Sequence, residues 1–220
     1  KNLNIISFSN EKDLIKDLLN NSIDQASGLS PENAGDIKDS GYEIHTATLP
    51  RIFGMFWNSS SNKVLGDKTV INAFNKAINR KEIVDKVLSG YGTIIQNPIP
   101  ETMSHDKANE IDAGSLEEAS DILEKGGWKI GADGIRVSGG TKIITQTKKV
   151  GKKTVTQKVT VNGGPVTRLS FSLSTGNTPE LKQASDLIKE QLEKIGAEVT
   201  VKVYETGPLN QLIRARNYEA

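Results

Sequence analysis

Asp67–Pro100, DKTVINAFNKAINRKEIVDKVLSGYGTIIQNPIP, is the stretch whose reading decides the fold. Asp67 stands as an N-cap, and Val70, Ile71, Phe74, Ala77 and Ile78 follow at the spacing of a half-buried helix. The charged break Asn79-Arg80-Lys81-Glu82 separates it from a second stripe, Ile83, Val84, Val87 and Leu88, which Ser89-Gly90 closes. Pro98 and Pro100 end the extended segment beyond, because neither can sit inside a helix. Two short helices in tandem, then an extended run, are expected here.

The same periodicities organise the chain on both sides. Upstream, Asn4–Phe8 reads as a strand, Glu11–Leu19 as a helix and Ile23–Ala26 as a short strand. Ser30-Pro31 starts a second helix, with serine at the cap and proline at the first helical position. Tyr42–Leu49 alternates as a strand that Pro50 ends, and Arg51–Trp57 is extended. Downstream, a polar loop runs through His105, and Ser115 opens a helix that Gly126-Gly127 closes. Asp133-Gly134 marks a tight turn between short strands. Lys142–Val161 reads as a long hairpin with a lysine-loaded tip, and Leu169–Leu173 alternates. A helix over Pro179–Ile195, a strand over Ala197–Tyr204 and a helix over Pro208–Arg216 follow, and Tyr218-Glu219-Ala220 begins another strand. Strands alternating with helices predict an α/β fold with a mixed sheet flanked by helices.

Composition narrows the chemistry. The 220 residues can bury a good core, and 35% apolar with 25% charged residues describes a globular protein. No apolar run reaches the ~18–20 residues of a membrane-spanning helix, and Lys1-Asn2-Leu3 enters a strand-like pattern rather than a leader. Cysteine is absent, which excludes disulfides, thiolate metal sites and thiol nucleophiles. His45 and His105 stand far apart, and no HExxH, GxSxG or phosphate-loop pattern occurs. The acidic residues Glu117-Glu118 and Asp106, Glu110 and Asp112 suit helix starts and solvated loops. No enzyme, cofactor or metal is expected.

The net charge of +1 conceals an asymmetry. Thr141–Arg168 carries six lysines, one arginine and no acid, which leaves 21 basic and 27 acidic groups on the rest. No aromatic residue stands between those lysines to stack on bases, so nucleic acid is not expected as a partner. Lysines on an exposed strand read more simply as a guard against edge-to-edge pairing. Ser174–Thr178, between a strand's carboxyl end and a helix start, is the place where open α/β sheets bind ligands.

Several motifs in order carry a resemblance. Phe56-Trp57-Asn58, then Asp67-Lys68-Thr69-Val70, Ala73, Ala77-Ile78-Asn79-Arg80, Ile83-Val84, Val87-Leu88-Ser89-Gly90 and Pro98-Ile99-Pro100 resemble the signature of family 5 extracellular solute-binding proteins. Leu18–Asp24, Ala119–Trp128, Asp133-Gly134-Ile135-Arg136, Leu192–Gly196 and Tyr218-Glu219-Ala220 extend it over nearly the whole chain. Departures are Ile71-Asn72 where V-R-Q is usual, Asn21-Ser22 for G-E, Asn79 for the aspartate of A-I-D-R, and a longer basic hairpin.

The resemblance implies a periplasmic-binding-protein-like type II fold, mostly the second lobe with a piece of the first, internal to a longer receptor. Residues 1–50 would end the first lobe, 51–58 would cross between lobes, and 59–220 would form most of the second. It further implies the substrate-binding component of an ABC importer on the outer face of the cell membrane. That component would be a monomer that captures peptides or peptide-like solutes and delivers them to permease subunits. It would touch the membrane only through an anchor or the permease. Metal-chelate or sugar receptors, and chaperone or signalling modules, share the scaffold. The expected cleft residues are Phe56, Trp57 and Asn58 with Thr175, Asn177, Thr178 and Glu180.

Overall fold

Local sequence accounts for most helix boundaries in the computed structural model, which describes residues 2–47, 52–95, 114–150, 153–162 and 164–220. Pro50, Pro98, Pro100, the His105 loop with its acids, and the Gly151-Lys152 tip lie outside the described residues. The chain divides into two compact units, 1–51 with 84–94, and 52–83 with 95–220.

In the first unit, α1 (Glu11–Leu19) begins where the Asn10 side chain accepts from Asp13 N–H, and α2 (Pro31–Asp39) where Ser30 accepts from Asn33 N–H. Leu18, Ala34 and Ile37 are buried, and the Tyr42 hydroxyl donates to the Leu18 carbonyl at 2.8 Å. The expected strands at 4–8, 23–26 and 42–49, the last described only as far as 47, form no ladder among the described residues. Leu3 and Ile5 are largely exposed. Extended apolar segments need a neighbouring strand to satisfy their backbone groups, and none of the described residues supplies one here.

The second unit holds the opening stretch as far as Ile83, and 84–94 belong to the first. α3 (Lys68–Ala77) buries Val70, Ala73, Phe74 and Ala77, after a 3-10 turn over Lys63–Gly66. Asp67 caps it through Thr69 N–H at 2.8 Å, and its other oxygen accepts from the Trp128 indole at 3.1 Å. α4 (Arg80–Val87) starts with the Asn79 side chain accepting from Glu82 N–H at 3.0 Å. Asparagine thus caps as the family's aspartate would, and that departure leaves the helix start intact. α5 (Leu116–Lys125), capped by Ser115, packs on α3. Its end needs Gly127, whose φ of +88° is open to glycine at little cost.

Parallel and antiparallel pairing both occur. β1 (Lys129–Ile130), β2 (Arg136–Ser138) and β5 (Thr167–Arg168) form an antiparallel sheet, with the Asp133-Gly134 turn between the first two. β3 (Thr141–Val150) and β4 (Lys153–Asn162) form the hairpin. β6 (Ser170–Gly176) and β7 (Glu198–Tyr204) pair in parallel through α6 (Pro179–Glu193). α7 (Thr206–Arg214) follows. Ala220 N–H then donates to the Ser172 carbonyl at 3.2 Å, and Ser174 N–H donates to the Ala220 carbonyl at 2.7 Å. That is a parallel bridge on the free side of β6, where the sequence places the start of a strand.

The core joins α3, α5, β6, α6 and β7 through Phe74, Leu123, Leu169, Leu192 and Ile195. Trp57, Phe74 and Phe171 form an aromatic triad with ring centroids 5.5–5.8 Å apart. All three pairs lie in the favourable range for tilted or edge contacts.

Candidate functional site

Strict alternation gives the parallel pair two unlike faces. Phe171, Leu173 and Val199 turn into the core, while Ser172 and Ser174 stand on the other face of β6. Register sets Ser172 beside Thr200, Ser174 beside Lys202 and Gly176 beside Tyr204. A cavity of about 350 Å³ lies over this polar face, lined by Ser172, Ser174, Lys202, Tyr204, Asn217 and Glu219 among others. No side chain on its β6 wall exceeds serine, so the space is left open.

Glu219 anchors the cavity. Its carboxylate accepts from Ser172 N–H at 2.6 Å, from the Ser172 hydroxyl at 2.7 Å and from the Asn62 amide at 3.2 Å. Burial pushes its pKa up, but the Ser172 hydroxyl and amide, the Asn62 amide and the Lys202 charge outweigh burial and leave it below the ordinary 4.5. The sign of the pH effect follows. A depressed folded pKa stabilises above the ordinary glutamate value, and the gain disappears as pH falls through the folded pKa. Glu219→Gln should therefore unfold at lower urea than the wild type at pH 7, with the gap closing below pH 4.5. A gap unchanged down to pH 3 contradicts this.

The expected cleft residues are placed in different surroundings. Trp57 is half-buried in the aromatic triad, whereas Phe56 is 74% exposed. The Asn58 amide donates to Ser61 Oγ and to the Arg216 and Tyr218 carbonyls, its oxygen accepts from Ser60 N–H, and its own N–H donates to the Glu219 carbonyl. Asn58 thereby holds the Glu219 strand in place beside the cavity. Thr175 is buried with its hydroxyl donating to the Leu181 carbonyl, and Asn177 links Glu205 to Lys182. Thr178 stands exposed at the start of α6 without a side-chain capping bond, and Glu180 sits half-buried in its first turn.

Ser172, Lys202, Tyr204, Asn62 and Glu219 were not among the expected residues, and Ser174 was expected only as the start of the loop Ser174–Thr178. Their signal is the alternation in Ser170-Phe171-Ser172-Leu173-Ser174 and Thr200-Val201-Lys202-Val203-Tyr204, which leaves one sheet face wholly polar. The arrangement offers hydrogen bonds of both polarities and one cation. Among the described residues no group of three His, Cys, Asp or Glu could hold a metal ion.

The fold is that of a family of solute-binding proteins. Residues 1–220 match the family described as "Bacterial extracellular solute-binding proteins, family 5 Middle", and the chain belongs to it. It is 29% identical over 170 residues to the oligopeptide-binding protein AppA of Bacillus subtilis (strain 168), covering 74% of this chain and 26% of that protein. It is 31% identical over 99 residues to Protein XP55 of Streptomyces lividans, covering 45% and 17%. The chain thus spans about a quarter or less of these relatives' length.

Among solved structures, AppA from Bacillus subtilis in complex with a nonapeptide superposes with a TM-score of 0.53 at 25% identity, over 71% of this chain and 27% of that one. An ABC transporter substrate-binding protein from Sinorhizobium meliloti gives a TM-score of 0.63 at 19% identity, over 90% and 37%, a likeness of fold alone. No helix among the described residues is long and apolar enough to cross a membrane.

Proposed function

We propose that this chain is part of a receptor that captures peptides or peptide-like solutes between two lobes and delivers them to the permease of an ABC importer. Residues 1–50 belong to the first lobe, 51–58 to the crossing and 59–220 to the second lobe, and the receptor works outside the cell membrane. The similarity to an oligopeptide-binding protein over three quarters of the chain carries this reading.

The polar sheet face supports it physically. A peptide main chain presents alternating donors and acceptors, and hydroxyls such as those of Ser174 and Tyr204 can meet either. Small residues on the β6 wall leave room for unlike side chains with water between, which suits a binder of varied peptides. Closure of two lobes would supply the remaining contacts and exclude solvent, with no chemical step. Of the expected cleft residues, Phe56, Thr178 and Glu180 stay available to a ligand, while Trp57, Asn58 and Thr175 act by positioning.

Ligand that binds only the folded state raises the melting temperature by mass action. The natural full-length protein should melt higher in a mixture of short peptides and unchanged in nickel–histidine or oligosaccharides. A shift with either of those and none with peptides rejects the peptide assignment.

A further inference from the structure

Lys202 is the one cation in the lining of the cavity on the β6–β7 face. Strand register places it beside Ser174, with Tyr204 two residues along β7 on the same face. Gly176, opposite Tyr204, adds no side chain there. Neighbours lie about 5 Å apart across a sheet, and alternate residues about 7 Å apart along a strand. One ammonium and two hydroxyls are therefore gathered towards the carboxyl ends of both strands.

Glu219 is the other charged residue of the lining, and its carboxylate is already engaged. One oxygen accepts from the Asn62 amide, the other from the Ser172 N–H and hydroxyl. Lys202 attracts Glu219 through space, yet among the described residues it makes no hydrogen bond or ion pair. The side-chain hydroxyls of Ser174 and Tyr204 are likewise without a hydrogen bond among the described residues.

An ammonium has three donors and no acceptor, and it bonds a charged oxygen more strongly than a neutral one. The two hydroxyls can donate to the same acceptor. A peptide main chain away from its ends brings no charge to meet Lys202. A carboxylate does, with two oxygens to share between ammonium and hydroxyls. A single cation also suits one negative charge better than a phosphate carrying nearly two.

We propose that Lys202, with Ser174 and Tyr204, seats a carboxylate of the bound solute. This rests on the peptide reading above and narrows it, since the carboxylate is either a peptide's chain end or an aspartate or glutamate side chain. The receptor then prefers solutes that carry a carboxylate over neutral ones of the same length. A lysine that served only to balance Glu219 would matter for folding and not for this preference.

The test is calorimetric titration of the natural full-length protein with three pools of tetrapeptides. The first holds free acids lacking aspartate and glutamate, the second their C-terminal amides, and the third amides with one glutamate. At least one carboxylate-bearing pool should bind about tenfold more tightly than the neutral amides. Preference for the first pool assigns the seat to the chain end, and preference for the third to a side chain. Lys202→Met should abolish the preference with the melting temperature of the free protein unchanged, and Lys202→Arg should keep most of it. Ser174→Ala with Tyr204→Phe should reduce it about threefold. Lys125→Met, on the exposed side of α5, should leave it whole.

Equal affinity for all three pools overturns the proposal and leaves the peptide reading standing, whereas binding of none of them overturns both. A preference that survives Lys202→Met, or that Lys125→Met abolishes as well, also overturns it. So does a fall in melting temperature in Lys202→Met with the preference intact, which would make Lys202 a partner of Glu219 alone.

Discussion

Phe74→Ala should destabilise the second unit by about 4 kcal/mol, as measured by equilibrium urea unfolding. Phe74 is fully buried in the middle of α3, and its ring touches those of both Trp57 and Phe171. Truncation removes apolar area from the core and leaves a void between helix and sheet that neither neighbouring ring can fill without leaving the other. Against a total of about 5–15 kcal/mol for a domain, that loss is a large fraction. Phe56→Ala provides the contrast, because an exposed ring two residues before Asn58 should cost less than about 0.5 kcal/mol. A loss below about 1 kcal/mol for Phe74→Ala would mean that the triad is not the centre of the core.

Arg136→Leu should cost about 3 kcal/mol for a different reason. Only 3% of Arg136 is exposed. Its Nε donates to the Ile195 carbonyl at 2.8 Å, and its Nη1 donates to the Trp128 carbonyl at 2.7 Å and to Glu124 at 2.8 Å. Its Nη2 donates to the Ser120 hydroxyl at 3.0 Å. One guanidinium thereby joins α5, the entry to β1 and the end of α6. Leucine would leave two carbonyls inside the fold without donors, while Glu124 still has Lys129 and partial exposure to water. Gly196 packs against this side chain, with Arg136 Cγ only 2.9 Å from where its Cβ would stand. Arg136→Lys should recover less than half of the loss, since an ammonium cannot spread donors over that arc of acceptors. Full recovery by lysine would show that charge alone matters.

These two residues differ in how far the sequence announces them. Phe74 lies in an amphipathic stripe, and period alone places it inside. The helices α1 to α6 and the register-setting Asp133-Gly134 turn were legible for the same reason: caps, prolines and apolar spacing are local signals. Arg136 was not legible, because a charged residue on a three-residue strand reads as solvated until three other elements converge on it. The strands expected upstream show the same limit from the other side. Asn4–Phe8 and Tyr42–Leu49 have strand composition, but a strand exists only with a partner, and partnership is not a local property.

The candidate site was partly legible. The loop after β6 was read from its position between strand end and helix start, yet Thr175 turns inward and Asn177 is engaged with Glu205 and Lys182. Asn58 was read as a ligand contact from its place in the motif, and it spends its amide on the backbone of the Glu219 strand. The cavity itself depends on three segments far apart in sequence, around Ser61, Ser172–Ser174 and Lys202–Glu219. Alternation exposes which face of each strand is polar, but not that Glu219 returns beside β6 to close the cavity.

Occupation of that cavity by the solute is tested most directly by a calorimetric titration of the full-length protein with a short-peptide mixture, comparing wild type with Ser174→Trp. Ser174 lies on the open β6 wall, so an indole there fills the space without touching the core. Peptide affinity should fall at least about tenfold, a change of roughly 1.4 kcal/mol, with the melting temperature of the free protein unchanged. Undiminished peptide binding by Ser174→Trp would contradict a ligand seat on this sheet face.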